Sequence, residues 1–294
     1  MDIADAPEQI EPAQGVHLVL PSSFQPGKNA IMVPHTDDGR VLFVIPWHDR
    51  VIVGTTDTPR EQPEIEPRAL PEEVGFILRN AGRYMHHEPV LSDVKSIFAG
   101  QRPLVHPDGK SAESKSISRS HEVFVSKSGL VTIAGGKWTT YRKMAEDTLT
   151  HAIPVGSLPH IPCRTEQLPL WGAIGGGQEL GDLRDSLHYY GSDASRVQEI
   201  GSENSNYARP LHPNSPYCGA EVVWALRYEM AVRLEDILAR RTRSLFLGAE
   251  DSKEAAPIVA KIMAEELGHD ERWIHQQLKQ YAILADGYQI HNEP

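Results

Sequence analysis

Residues 134–149, AGGKWTTYRKMAEDTL, decide how the first half of the chain is read. A β-branched run at 130–134 precedes them and an amphipathic stretch follows, so the order is strand, glycine turn, helix. Working backward, 121–125 and 94–98 read as strands, and 71–87 as a helix. Pro71 suits the first turn, Glu72 and Glu73 suit its positive end, and Val74, Ile77, Leu78 and Ala81 form one apolar face. Further back, residues 16–20, 30–33, 41–45 and 51–54 are short strands separated by turn residues, with Asp38-Gly39 a hairpin signal. An antiparallel meander is the economical arrangement. Working forward, Pro154, Pro159, Pro162 and Pro169 lead into Gly175-Gly176-Gly177, which reads as a linker. Beyond it, residues 182–190, 194–200, 220–241, 252–267 and 270–285 read as helices. The expectation is an α+β fold: residues 1–14 a loose leader, 15–150 an antiparallel sheet plus one closing strand and helix, 151–180 a linker, and 181–290 an all-helical C-terminal domain.

Composition bounds the function. The 294 residues carry 29 Lys+Arg against 40 Asp+Glu, a net charge of −11, which argues against nucleic acid as a partner. Two cysteines, Cys163 and Cys218, are too few for a disulfide framework and suit a reducing, cytoplasmic setting. No apolar run reaches the roughly 20 residues of a membrane span, and the acidic N-terminus lacks the apolar core of a signal peptide.

Several residues could carry chemistry. Gly135 and Gly136 between strand and helix let backbone N–H groups approach a ligand, the helix N-terminus adds partial positive charge, and Lys137 adds a full one. The alternative is a tight turn with Thr139 and Thr140 capping the helix. Arg102, in GQRPLV, and Arg119 could each clamp a carboxylate or phosphate, or form surface salt bridges. His17, in GVHLV, is either a hydrogen-bonded core residue or a general base. Gly54-Thr55-Thr56-Asp57 reads equally as a functional segment or a strand-ending turn. There is no HExxH, CxxC, GxGxxG or GxxxxGK[ST], and no metal is assigned.

The segments GVHLVLP (15–21), VLFVIPWHDRVIVGTTDT (41–58), GQRPLV (100–105), ISRSHEVF (117–124), AGGKWTTYRKMAED (134–147) and YCGAEVVWALRYEMAVRLEDILARRTR (217–243) together resemble the C-terminal portion of the FAD-dependent, quinone-linked glycerol-3-phosphate dehydrogenases. The resemblance implies oxidation of sn-glycerol 3-phosphate to dihydroxyacetone phosphate, with FAD as cofactor and quinone as acceptor. It implies that residues 15–150 hold a substrate-binding sheet and the last strand and helix of a flavin domain. By the same resemblance His17 is the candidate base, Arg102 holds the C2 oxygen, and Arg119 and Lys137 help bind the phosphate. The turn Gly135, Gly136, Lys137, Trp138, Thr139 and Thr140 would lie under the flavin's pyrimidine edge. Peripheral docking on the inner membrane is the family's way of reaching quinone. The family's dinucleotide-binding GxGxxG unit is not in this sequence. The chain is therefore expected to lack the N-terminal unit, either with a separately encoded N-terminal half as a partner or as a truncated reading frame; the rival is a non-catalytic remnant that binds glycerol phosphate or another protein. The RRTR segment, 240–243, is expected to make interdomain salt bridges.

Overall fold

The computed structural model describes residues 10–105, 120–173 and 186–290. The fold is α+β. Strands β1 (Ile10–Pro21), β2 (Ile31–Val33), β3 (Leu42–Trp47), β4 (Arg50–Gly54), β5 (Thr58–Pro59) and β6 (Ser96–Val105) form one sheet in the order β2-β3-β4-β1-β5, with β6 also on β1. A meander in chain order would set β1 beside β2; instead β4 returns to β1, in register from His17↔Gly54 to Pro21↔Arg50. Burial explains the choice. Val16, Leu18, Val19 and Leu20 are fully buried and demand cover, while the three-residue β2 exposes Met32 and tolerates an edge.

The leader is shorter than expected. β1 starts at Ile10 because residues 12–14 have partners: Ala13 faces Pro59, Gln14 faces Thr58, and the Arg60 N–H donates to the Pro12 carbonyl. Helix α1 (Pro71–Gly82) buries Val74, Ile77 and Ala81 as the periodicity predicts, and the Leu70 N–H donates to Glu73 Oε2 at 2.9 Å. It stops at Gly82 rather than at residue 87, because the chain turns away there: the His86 N–H donates to the Phe24 carbonyl.

Strands β7 (His121–Val125) and β8 (Val131–Gly135) form a separate antiparallel pair, followed by a 3-10 turn (Trp138–Thr140) and α2 (Tyr141–Val155). Helix α2 runs past residue 151, where a linker was expected to begin. Pro154 sits in its last turn and removes one ladder bond just before the helix ends at Val155. The Gly175–Gly177 cluster lies outside the described residues.

The helical part comprises a 3-10 stretch (Ser186–Asp193), α3 (Ala194–Glu203), α4 (Gly219–Tyr228), a π-type turn (Asp236–Arg241), α5 (Ser244–Leu247), α6 (Ala249–Leu267) and α7 (Glu271–Asp286). Residues 219–225 of α4 are buried all round, which makes it the central helix. The single helix expected at 220–241 is broken. Met230 takes φ 59°, the Ala231 N–H turns back to the Ala225 carbonyl, and Asp236 Oδ2 accepts from the N–H groups of Val232 and Arg233. Met230 is 86% exposed, so the apolar stripe that ran through it in the sequence does not exist there. Arg240 pairs with Asp236 at 2.9 Å and with Glu235, and Arg241 with Glu229. These pairs lie within the helical part.

The chain divides into two compact units. One takes the chain up to Gly15, Asp57–Pro67 and Ala99–Leu170; the other takes Val16–Thr56, Arg68–Phe98 and everything from Trp171. The expected division at residues 151–180 is thus replaced by one in which most of the large sheet belongs with the helices.

Within the second unit, His48 closes the two-residue β3–β4 turn at φ 52°, and its Nε2 lies 3.2 Å from the Tyr189 hydroxyl. Its ring also packs against Trp47 and Tyr217. Burial, reinforced by the Arg243 guanidinium and opposed by Asp49, lowers its pKa to about 4. The neutral form is therefore favoured in the folded state. Stability should be fully present above the unfolded value of about 6.5 and fall by about 1–2 kcal/mol as pH drops toward 4, after discounting for its partial exposure. Urea denaturation from pH 7.5 to 4 checks this: His48→Phe should remove most of that slope, and an unchanged slope contradicts it.

Candidate functional site

His17 lies on β1, half-buried among residues that are otherwise buried. Directly across, on β4, is Gly54. A Cβ at Gly54 would sit 2.5 Å from His17 Cδ2 and 2.8 Å from the Val16 carbonyl oxygen, so only glycine leaves room for the imidazole. On another side the Phe98 ring stacks on it at 5.1 Å and 15°. The backbone beside it is fixed by a buried network. Thr56 Oγ1 accepts from the Val16 N–H at 3.0 Å and donates to Glu73 Oε1 at 2.8 Å, with Thr56 and Glu73 only 2% and 3% exposed. Sequence reading flagged 54–57 without separating function from turn; the structure makes Gly54 and Thr56 supports of the His17 strand.

In the other unit, Arg102 lies inside β6, not at a strand end, and its Nη1 is 3.3 Å from Asp57 Oδ1. Asp57 thereby restrains a guanidinium whose fork suits an anionic or oxygen ligand. Arg119 lies outside the described residues.

The glycine turn forms as the sequence predicts. Gly135 and Gly136 take φ 75° and 85°, a conformation that disfavours any side chain. A Cβ at Gly135 would lie 2.9 Å from the Ser120 carbonyl oxygen, and one at Gly136 2.6 Å from the Met144 side chain. His121, opposite Gly135 in the β7–β8 register, reaches Asp147 on α2 at 3.0 Å. Lys143, at 2.9 Å, and then His121 hold the Asp147 carboxyl below its ordinary range. These contacts brace the start of α2 under the turn. Lys137, Trp138, Thr139 and Thr140 are all exposed, Trp138 at 85% and stacked on Tyr141 at 5.4 Å. Thr140 Oγ1 donates to the Lys137 carbonyl rather than capping α2, so the threonine-cap alternative does not describe the turn. This leaves an accessible cationic helix start behind two glycines, suited to an anion or to a group that becomes anionic.

The structure thus gathers Arg102 with Asp57, and the two glycines with Met144 and His121, in one unit, and His17 with Gly54, Phe98 and the Thr56–Glu73 pair in the other. Sequence reasoning missed Phe98, Glu73 and His121 as supports, and met Asp57 only within the segment 54–57. Only a glycine among the β-branched residues of β4 could have signalled a close approach. Among the described residues no group of three His, Cys, Asp or Glu side chains could hold a metal ion, and no described helix is long and apolar enough to cross a membrane.

Residues 2–142 match the family described as FAD dependent oxidoreductase, and residues 163–273 match the C-terminal domain of alpha-glycerophosphate oxidase. The mitochondrial glycerol-3-phosphate dehydrogenase of Macaca fascicularis is 37% identical over the whole chain, which spans 43% of that protein. That of Arabidopsis thaliana is 37% identical over 94% of the chain and 48% of its own length. The crystal structure of the glycerol-3-phosphate dehydrogenase from Bacillus halodurans complexed with FAD superposes with a TM-score of 0.77 at 28% identity, covering 97% of this chain and 59% of that one. The chain therefore spans less than half the length of the curated relatives it matches. Two family matches in series, with relatives aligned along nearly the whole chain, make the chain similar to the FAD dependent oxidoreductases and to the C-terminal domain of alpha-glycerophosphate oxidase.

Proposed function

We propose that this chain is the substrate-side, C-terminal part of an enzyme that oxidises sn-glycerol 3-phosphate to dihydroxyacetone phosphate with FAD and passes the electrons to quinone. The observation that carries the reading is the half-buried His17 ring, held over a glycine that leaves room for little else, between the buried Val16 and Leu18. The names of the relatives support the substrate and the chemistry. FAD, when bound, would supply the hydride acceptor for C2 and the outlet for two electrons. The chain's own residues do the rest. His17 takes the proton from the C2 hydroxyl. Arg102, restrained by Asp57, holds the oxygen on which charge develops. Arg119 and Lys137 bind the phosphate. The turn 135–140 fits the flavin, because its glycines clear a close approach for the ring and the helix start behind them favours negative charge on it.

The sequence contains no GxGxxG, so the grip on the FAD pyrophosphate comes from residues outside these 294, in a separately encoded half or elsewhere in a longer protein. The chain works in the cytoplasm and meets the inner membrane peripherally, where quinone is reached. The test is to purify the chain with and without the N-terminal half of a relative and measure flavin absorbance and dye-linked oxidation of glycerol 3-phosphate. Flavin and activity that appear only with the partner support the reading; neither appearing with the partner present overturns it. In that complex Asp57→Ala should lower kcat/KM by about 10-fold by releasing Arg102, with retained flavin absorbance as the control. Unchanged steady-state kinetics would remove Asp57 from the site.

A further inference from the structure

We propose that the helical part of the chain orients the His17 imidazole through stacked rings, so that Phe98 and Phe246 are positioning residues. The contact that bears on His17 is its stack at 5.1 Å with Phe98, a residue of the same unit. The Phe98 ring is in turn met edge-on by Phe246 of α5 at 5.0 Å, nearly perpendicular at 88°. Phe246 is met edge-on by Tyr288, just past α7, at 5.5 Å and 84°. Arg68 lies 5.4 Å over the Tyr288 ring. Edge-to-face geometry is directional, because the positive edge of one ring seeks the negative face of the next, so a tilt of one ring is transmitted to its neighbour.

The backbone under Phe98 is clamped from the same direction. The Ala249 N–H donates to the Lys95 carbonyl at 3.0 Å, and the Ile97 N–H donates to the Tyr288 carbonyl at 2.9 Å. Ser96, 1% exposed, donates its hydroxyl to the Leu245 carbonyl at 2.9 Å. The Lys95 N–H, donating to the Val19 carbonyl at 2.8 Å, ties the same segment to the strand that carries His17. Three consecutive residues before Phe98 are thus bonded to the helical part, and α5, which starts from Arg243 at φ 57°, carries both Leu245 and Phe246. A short helix of four residues gains little from its own hydrogen bonds. Its ring and its carbonyl, both aimed at residues 96–98, give it a role that helix propensity does not.

This inference rests on His17 as the base only in its kinetic arm. The first arm needs no cofactor. Histidine ring resonances of the full chain are recorded by NMR, with His17 identified by the signal lost in His17→Gln. Phe98→Leu should move the His17 resonances most, because the adjacent ring current disappears. Phe246→Leu, which keeps apolar bulk, should move them in the same sense, and Phe246→Tyr should restore the wild-type positions. Ile262→Val, which trims the helical core away from the rings, should leave them in place. If Phe246→Leu does not fold, Phe246→Met replaces it. Unmoved His17 resonances in the Phe246 variant overturn the proposal, as does an equal movement in Ile262→Val. The second arm is kinetic, in the FAD-loaded complex: Phe246→Leu should lower kcat about 10-fold with KM unchanged. A wild-type complex without activity sinks the catalytic reading and leaves the ring relay to be judged by NMR alone, so the two failures are distinct.

Discussion

Replacing His17 with alanine in the FAD-loaded complex should lower kcat by about 10²–10⁴-fold, the range associated with a positioned general base. Gly54→Ala should approach the same loss although it removes no functional group. The added methyl would lie 2.5 Å from His17 Cδ2 and 2.9 Å from Cγ, well inside van der Waals contact. Backing away is hard, since Phe98 stacks on the ring and the register from His17↔Gly54 to Pro21↔Arg50 pins the strand. The ring would be forced out of its site, and a displacement of about 1 Å at a catalytic group is enough to cost about 10²-fold. Steady-state kinetics of the two variants, with flavin absorbance as a control for loading, is the check. Near-normal turnover in His17→Ala would remove its role, and near-normal turnover in Gly54→Ala would show that the ring position does not matter.

The second large effect concerns stability. Glu73→Ala should destabilise the second unit, which holds most of the large sheet, by about 2–4 kcal/mol, measured by urea denaturation. Its carboxylate accepts from Thr56 Oγ1 at 2.8 Å and from the Leu70 N–H at 2.9 Å. The Thr56–Glu73 bond is buried, where a donor without an acceptor bears its full desolvation cost, and the Leu70 bond is partly so. The loss spreads, because Thr56 Oγ1 also accepts from the Val16 N–H, next to His17. Glu73→Gln keeps one acceptor oxygen and should cost less than half as much. Equal losses in the two variants would mean that hydrogen bonding is not what Glu73 contributes.

Much of this molecule was legible in the sequence because local physics decides it. Pro71 and Glu73 mark the start of α1, and Asp270 marks that of α7, where its side chain accepts from the Trp273 N–H at 2.9 Å. The paired glycines at 135 and 136 meet their two positive φ angles. What escaped depends on partners far along the chain. The strand character of residues 10–15 comes from pairing with Thr58 and Pro59, and the place of β1 in the sheet follows from total burial rather than from order. The break at Met230 carries no warning, because methionine has no preference for the left-handed region and the apolar spacing runs through it undisturbed. In the site, His17, Arg102 and Lys137 stood out as chemically capable residues. Their supports did not: Gly54 is paired with His17 by a register that no local pattern reveals, and Phe98 and Phe246 look in sequence like ordinary core residues.

The most direct test of the central claim is an anaerobic titration of the reconstituted flavin complex with sn-glycerol 3-phosphate. The account predicts that the substrate bleaches the visible flavin absorbance stoichiometrically, that glycerol without its phosphate does not at the same concentrations, and that His17→Ala slows the bleaching by orders of magnitude. A complex that holds flavin, yet keeps its full oxidised absorbance in the presence of glycerol 3-phosphate, would contradict it.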